Sequence, residues 1–181
     1  MRHLFFAIFI IALGSTSLQA QKFITENGRA TFYSKVPLHS FEGNSDKLVG
    51  LIDLDSLIVD FYIDLETLDT GNGKRDKDMR LTLETKEYPF AEFYGQIQNQ
   101  NLVLDNTPTV VTVKGDFTIH GVTRNIEVSG TLSRTNEGLK LNASWILNLK
   151  DYNIVPPKIL FIKVDENQEI EIEALLKPLD Q

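Results

Sequence analysis

Several chemical groups are missing or scarce in this sequence. Cysteine is absent from its 181 residues, which excludes disulfide bonds and a lipid attached to an N-terminal cysteine. Histidine occurs three times, and the two beyond the N-terminal segment, His39 and His120, stand in no spaced cluster that would hold a metal ion. No Gly-x-Ser-x-Gly element or glycine-rich phosphate loop is present. We therefore expect no metal, no cofactor and no catalytic residues of these kinds.

Basic side chains are in the minority. Lysine and arginine number 18 against 25 aspartates and glutamates, so the formal net charge is −7. Removal of an N-terminal segment that contains Arg2 would make it one unit more negative. Nucleic-acid binding requires clusters of Lys and Arg against the phosphates, so this balance disfavours it. The same balance disfavours electrostatic docking on anionic lipid head groups.

Long apolar runs are absent apart from one near the N-terminus. Residues 4–13 are apolar, follow a short basic start and precede a small, polar stretch that ends at Ala20, which is the pattern of a secretory signal peptide. A run of about ten residues is well short of the roughly 20 needed to span a bilayer. We therefore expect residues 1–20 to be a signal peptide cleaved after Ala20. Residues 21–181 would then form a single exported domain without stable membrane insertion.

Alternation of apolar and polar residues dominates the rest of the chain. In residues 57–66 the odd positions are all apolar and the even positions are mostly charged, which predicts a strand with one buried face. Only residues 75–84 have the composition of a helix. The alternation recurs in 91–97, 111–117, 126–132, 139–145 and 170–176, with weaker candidate strands at 30–36, 48–54 and 159–164.

These strands predict an antiparallel sheet that hides its apolar face against a second sheet or by closing into a barrel. Four glycines, Gly50, Gly95, Gly115 and Gly130, lie mid-strand in phase with the apolar residues. Glycine is disfavoured inside strands, so an inward-facing set needs a reason. One reason is the sharp coiling of a small closed barrel. A second, compatible reason is that missing side chains leave room for one slender ligand.

The triplet Asp69-Thr70-Gly71 follows an apolar run, as the catalytic triplet of an aspartic protease does. Such a protease needs two aspartates that share a proton, whereas this triplet occurs once. Residues 72–78 are hydrophilic and suit a solvated turn into a helix, where Asp76 or Asp78 could cap the helix or lie in its first turn. Asp69 is therefore interpreted as a loop residue.

Two further candidate sites are also weak. The third and fifth positions counted from Asp69 are Gly71 and Gly73, where an EF-hand loop needs oxygen side chains, so calcium binding is not expected. His120 precedes Gly121 between two alternating segments, which favours a hairpin turn over a catalytic histidine. A binding protein is thus favoured over an enzyme.

Five motifs follow one another along the chain in a recognisable order. They are Leu68-Asp69-Thr70-Gly71-Asn72, Arg75-Asp76, Lys86-Glu87-Tyr88-Pro89, Val113-Lys114-Gly115-Asp116-Phe117-Thr118-Ile119-His120-Gly121-Val122-Thr123 and Leu149-Lys150-Asp151-Tyr152. Together they resemble the YceI family of polyisoprenoid-binding proteins. The similarity covers roughly residues 46–178 and is specific because several motifs agree in the same order. It implies an all-β, eight-stranded antiparallel lipocalin-like barrel with a short helix after the Asp69-Thr70-Gly71 loop.

The resemblance also implies a location and a ligand. The protein would be exported to the bacterial periplasm, with secretion as the alternative, and would hold a long isoprenoid, such as the tail of a quinone or of a polyprenyl carrier, in a tunnel. No catalytic residues come with the family. The resemblance implies that the family's Asp-Thr-Gly-Asn and Arg-Asp positions form a hydrogen-bonded, salt-bridged corner between strand and helix. In this sequence these positions are Asp69, Thr70, Gly71, Asn72, Arg75 and Asp76.

Inward-facing residues of the predicted strands would line an interior almost free of charge. Two functions remain open: a carrier for an isoprenoid or similar long-chain amphiphilic lipid, or a structural or interaction module with a closed core. The module would meet a partner through an outer face such as the acidic stripe Glu169-Glu171-Glu173, and a homodimer is left open. The predicted ligand-binding residues are Phe32, Val59, Phe61, Ile63, Phe93, Val113, Phe117, Val128, Leu141, Trp145 and Ile172.

Overall fold

Eight strands form one closed antiparallel barrel, which confirms the fold that the family resemblance implies. The computed structural model describes residues 22–36, 39–156, 158–159 and 162–179, so the predicted signal peptide lies outside the described residues. The barrel strands are β1 (Lys22–Val36), β2 (His39–Asp53), β3 (Ile58–Asp64), β4 (Phe90–Ile97), β5 (Thr109–Ile119), β6 (Val122–Thr135), β7 (Gly138–Asn148) and β10 (Asn167–Pro178), and a separate pair comprises β8 (Lys158–Ile159) and β9 (Ile162–Lys163).

Each barrel strand pairs with its neighbours along the chain, and β1 pairs with β10 to close the sheet. The connections β1–β2, β2–β3, β5–β6 and β6–β7 are short, because antiparallel neighbours need only a tight turn between them. Helix α1 (Gly73–Thr82) joins β3 to β4, close to the predicted 75–84. Two short 3₁₀ helices, Leu65–Thr67 and Leu149–Tyr152, follow β3 and β7.

Two regions differ from the sequence-based expectation. Strand β1 begins at Lys22, whereas the sequence shows regular alternation only from about residue 30. Register shifts interrupt the pairing of β1 with β2 between Thr25 and Gly28 and between Gly28 and Ala30. A bulge changes the phase of the side chains and so hides the period-two signal. The weaker candidate strand at 159–164 does not join the barrel and instead contributes to the two-residue pair β8–β9.

The alternation decides which side chains form the core. In β3, Val59, Phe61 and Ile63 are buried while Asp60 and Tyr62 are exposed. At one end of the barrel, which we call the closed end, apolar side chains from five strands are at most 2 % exposed, and each stabilises the fold by roughly 1.5–3 kcal/mol. They are Phe23, Ile52, Leu132, Leu139 and Leu176.

The mid-strand glycines face inward, as predicted, since they pair with lining residues or with each other. Gly50 pairs with Phe61, Gly95 with Gly115, and Gly130 with Val111. The expectation that they leave room for a ligand is wrong. A Cβ added at Gly50 would enter the Phe61 ring, and one at Gly115 would collide with the backbone of Gly95 and Tyr94. The glycines therefore serve close packing and coiling of the sheet.

Candidate functional site

An apolar cavity of about 480 Å³ occupies the barrel interior. It extends from the closed end to the opposite end, which we call the open end, where α1 and the Leu149–Tyr152 helix lie. Its volume falls within the usual range of small-molecule sites, roughly 300–1,000 Å³. All the ligand-binding residues predicted from the sequence line it, namely Phe32, Val59, Phe61, Ile63, Phe93, Val113, Phe117, Val128, Leu141, Trp145 and Ile172.

Sequence reasoning missed two groups of lining residues. The first group lies on the same strands and follows the same alternation, and it includes Leu48, Ile52, Ile97, Val111 and Leu132. The second group comes from the helical and irregular segments at the open end, where no period-two signal exists, and it includes Leu65, Leu68, Met79, Leu83, Ile154 and Pro156.

Edge-to-face aromatic contacts hold part of the wall in place. The Phe117 ring packs against Trp145 at 5.8 Å and against Tyr152 at 5.6 Å between ring centroids. On the other side of the cavity, the rings of Phe32 and Phe41 pack edge to face with 6.2 Å between their centroids. Such pairs are each worth about 0.5–1.5 kcal/mol beyond area burial. They link β5, β7 and the Leu149–Tyr152 helix into one wall around the open end of the cavity.

Charged and polar groups are placed at the rim of the open end. We call the rim formed by Asn72, Lys74, Arg75 and Asp78, all from the start of α1, the mouth. Asn72 caps the helix by accepting from the amides of Lys74 and Arg75, both at 3.1 Å. Lys74 pairs with Asp78 at 3.4 Å, and Arg75 lies 4.3 Å from the centroid of the Phe41 ring. An amphiphile could thus keep a polar group at the mouth and an apolar chain within.

The Asp69-Thr70-Gly71 corner is a structural turn. The backbone of Asp69 exchanges two hydrogen bonds of 2.9 Å with Asn44, and its carboxylate accepts from the Gly71 amide at 2.7 Å. Gly71 has φ of +71°, which glycine adopts without strain. The Thr70 amide and hydroxyl donate to Asp76 Oδ1 at 2.9 and 2.6 Å. This arrangement ties the strand to the helix.

One expectation for the corner is confirmed and another needs correction. Asp76 lies in the first turn of the helix, one of the two roles expected for it, and accepts from Thr70, while Asn72 is the helix cap. The Arg75 side chain stacks on an aromatic ring, and the ion pair near this corner joins Arg80 Nε to Glu66 Oε2 at 3.5 Å. Arg80 also donates to the carbonyl of Glu66 at 2.9 Å. The ion pair falls on residues that the sequence motif did not indicate.

Asp76 makes the stability of this corner depend on pH. Hydrogen bonds from Thr70, and further the charge of Arg80, hold the pKa of Asp76 below its ordinary value against the opposing effect of burial. Since the folded-state pKa lies below the unfolded one, this stabilisation is complete above the ordinary aspartate pKa of about 3.9 and is lost as pH falls through the lowered value.

We expect Asp76→Asn to lower the free energy of unfolding at neutral pH by about 1–2 kcal/mol, because hydrogen bonds to a charged acceptor are stronger than those to a neutral one. Urea unfolding at a series of pH values from neutral to strongly acidic should show the gap from wild type closing in acid. Asp78→Asn is the matched control and should change stability by less than about 0.5 kcal/mol. A gap that stays constant with pH would contradict the role of the Asp76 charge.

His120 occupies the β5–β6 hairpin turn, as the sequence indicates. His120 and Gly121 have φ of +54° and +69°, as the central residues of a type I′ turn require. Nδ1 donates to the Tyr152 carbonyl at 3.1 Å, because a carbonyl oxygen can only accept, and Nε2 lies 3.1 Å from Glu84 Oε2. The ring also packs against Tyr88 at 5.3 Å. His120 thus connects the β5–β6 turn with the Leu149–Tyr152 helix and with the segment between α1 and β4.

Two features of the described residues bear on other functions. Among the described residues, no group of three or more His, Asp or Glu side chains is arranged to hold a metal ion. The helices within those residues are too short and too polar to span a bilayer.

Comparison with known proteins gives one family and several similar folds. The YceI-like domain family matches residues 20–176, and no curated protein matches the chain. A polyisoprenoid-binding domain from Saccharophagus degradans, implicated in plant cell wall breakdown, is 16% identical with a TM-score of 0.72, over 89% of this chain and 100% of that one.

Two further solved structures share the fold. BcnA of Burkholderia cenocepacia is 18% identical with a TM-score of 0.68, over 82% of this chain and 94% of its own. A YceI protein of Campylobacter jejuni is 14% identical with a TM-score of 0.54, over 99% of this chain and 94% of its own. At such identities the likeness concerns the fold.

Proposed function

The chain belongs to the family of YceI-like domains, and from this premise we propose that it is a periplasmic carrier that holds an isoprenoid or similar long-chain amphiphile inside its barrel. The observation that carries the proposal is the apolar cavity of about 480 Å³ that reaches the mouth beside α1. A barrel interior that was fully packed would leave no such space. The predicted lining residues are thus proposed as the ligand-binding residues.

The chemistry of the wall suits a prenyl chain. Each buried carbon group contributes about 0.8 kcal/mol, so a five-carbon isoprene unit gains on the order of 4 kcal/mol before ordering costs are subtracted. Affinity of this kind depends on chain length and needs few directional contacts. The charged mouth offers a solvated position for a polar end group. No catalytic step is part of the proposal.

The comparisons support the ligand class. The Saccharophagus degradans domain, whose barrel is similar, is described as polyisoprenoid-binding, and by analogy we propose the same class here. The signal-peptide pattern of residues 1–20 supports export. We propose that residues 21–181 form the mature domain.

The alternative, an interaction module with a closed core, has less support. It requires a core packed to native density, whereas the interior holds a continuous cavity. Its proposed contact surface, the Glu169-Glu171-Glu173 stripe, is partly engaged, since Tyr33 donates to Glu171 at 3.1 Å. An acidic strand face is usually a solvated surface. A homodimer stays a prediction.

The proposal is tested by identifying what the exported protein carries. We expect organic-solvent extraction of natively purified protein, followed by mass spectrometry, to release a prenyl or other long-chain amphiphile in near-stoichiometric amount. Protein that has been unfolded, washed free of lipid and refolded should take up the same compound when it is added back. Extracts no richer than those of an unrelated exported protein, together with failed uptake by the refolded barrel, would refute the carrier function.

A further inference from the structure

Apolar side chains collect on one part of the outer surface of the barrel. On β2, β3 and β4 alternate positions point away from the interior, and five of them are apolar. The rings of Tyr62, Phe90 and Tyr94 are 43 %, 42 % and 56 % exposed. Contiguous exposed apolar patches mark sites of interaction with other molecules. We call this surface the β2–β4 face, and its apolar residues are Val49, Leu51, Tyr62, Phe90 and Tyr94.

Strand register and ring contacts make the β2–β4 face continuous. Val49 pairs with Tyr62, and the Tyr62 ring packs edge to face on Phe90 with 5.8 Å between centroids. Leu51 and Tyr94 lie in the next row, on either side of one β3 residue. An apolar exterior is not general in this barrel, because the outer faces of β6 and β7 carry small polar side chains. These include Ser129, Thr131, Asn142 and Ser144.

A carboxylate lies directly across from each aromatic ring of the β2–β4 face. Directly opposite residues of an antiparallel pair have Cβ atoms about 4.5–5.5 Å apart, so one ligand group can contact both the ring and the carboxylate. Strands β3 and β4 contain no Lys or Arg, and no described base lies within ion-pair distance of these carboxylates. The pairs are Asp60–Tyr94, Tyr62–Glu92 and Asp64–Phe90.

These pairs fit an arginine side chain. A planar guanidinium group can stack on an aromatic ring and at the same time donate from its edge to a carboxylate, whereas the lysine ammonium group is a compact charge without that geometry. Phosphate-bearing surfaces, such as nucleic acid or an anionic membrane, would be repelled. Two copies of this chain joined through the face would bring like charges together, since β3 and β4 each contribute acidic side chains and no basic ones.

We propose that the β2–β4 face is a docking site for a protein partner that presents arginine side chains among apolar ones. The arginines lie over the exposed rings and donate to the carboxylates beside them, and apolar side chains of the partner cover Val49 and Leu51. Tyr94 is the central contact, because its side chain has no hydrogen bond or ring contact of its own among the described residues. The face lies outside the barrel wall, so the proposal does not depend on what the cavity holds.

Short peptides test the chemistry of the face. A capped pentapeptide with arginine at alternate positions and serine between them holds its arginines on one side, about 7 Å apart when extended, which matches successive outward residues of a strand. The matched controls carry citrulline, the uncharged analogue of arginine, or lysine. In ¹⁵N–¹H NMR titrations we expect amide shifts to concentrate on β3 and β4. Affinity should fall about tenfold for the citrulline peptide and about threefold for the lysine peptide.

Substitutions on two sides of the barrel identify the contacts. Tyr94→Ser removes an exposed ring, and Asp60→Asn removes the charge beside it. Each should weaken binding of the arginine peptide by about three- to fivefold, and Asp60→Asn should also reduce the dependence of affinity on salt. Ile146→Ser and Glu173→Gln are the matched changes on the outer faces of β7 and β10, where Ile146 is 61 % exposed, and should leave binding unchanged. Thermal unfolding checks that each variant is folded.

Cross-linking tests the face in cells. The photoreactive residue p-benzoylphenylalanine replaces Tyr94 or Ile146 in the full chain, produced in its native cells. We expect position 94, and not position 146, to cross-link to a protein through a segment that contains arginine. The affinity of that purified partner should fall about tenfold with Tyr94→Ser. The proposal is overturned if position 94 cross-links to no protein, to a second copy of this chain, or to the same proteins as position 146. Equal binding of the arginine and citrulline peptides would overturn it as well.

Discussion

Replacement of Ala143 with phenylalanine is expected to abolish recovery of bound lipid while the barrel stays folded. Ala143 lies on the inner face of β7 and lines the cavity. It belongs to a row of residues that crosses five strands, with Ile172 and Ala30 on one side and Gly130 and Val111 on the other. Ala30 and Ala143 both line the cavity and carry only a methyl group each, so the ring added at position 143 enters the cavity.

The size of the effect follows from the carbon groups that the ring displaces. If a phenyl group excludes about four carbon groups of the ligand, the loss at about 0.8 kcal/mol each is roughly 3 kcal/mol, or about 100-fold in affinity. The ring itself gains apolar burial. The melting temperature should therefore remain near the wild-type value or rise, which separates loss of binding from loss of folding.

Ser144→Phe is the matched control for this prediction. Ser144 is the next residue on β7 and is exposed, so the same ring is added to the outer surface. Solvent extraction and mass spectrometry of the natively purified variants should recover lipid from wild type and Ser144→Phe, and little from Ala143→Phe. Full recovery from Ala143→Phe would show that the ligand does not occupy the barrel interior.

Replacement of Gly115 with alanine should be among the most destabilising small changes in the barrel. Gly115 pairs with Gly95 across β4 and β5, and a Cβ at Gly115 would collide with the Cα of Gly95 and the carbonyl of Tyr94. Backbone cannot move aside as a flexible side chain can. We expect a loss of about 3 kcal/mol, at the upper end of overpacking, and a fall in melting temperature of roughly 6–12 °C.

Gly73→Ala provides the control for this substitution. Gly73 is the first residue of α1, and no atom of the described residues lies within 4 Å of an added Cβ there. The same change should raise stability by about 0.5 kcal/mol, because alanine restricts the unfolded chain and favours the helix. Calorimetry or urea unfolding of the two variants measures the contrast. Similar stability for Gly115→Ala and wild type would refute the close backbone packing.

The alternation of apolar and polar residues is a local property, so it can be read from the sequence of a single strand. In β3 the phase of Val59, Phe61 and Ile63 predicts which face is buried, and the same reasoning on the other strands identified a set of residues that all line the cavity. The turn at His120-Gly121 is equally local, because both residues need positive φ. Strand β1 lost its signal where its register shifts around Gly28.

The sequence by itself therefore determined the antiparallel sheet, its inward-facing residues and the loop role of Asp69, and the family resemblance implied that the sheet closes into a barrel. Only the tertiary structure decided whether the interior is filled or hollow, because that depends on summing side-chain volumes from strands far apart in the chain. The space at Gly50 is taken by Phe61, whereas the space beside Ala143 joins the cavity.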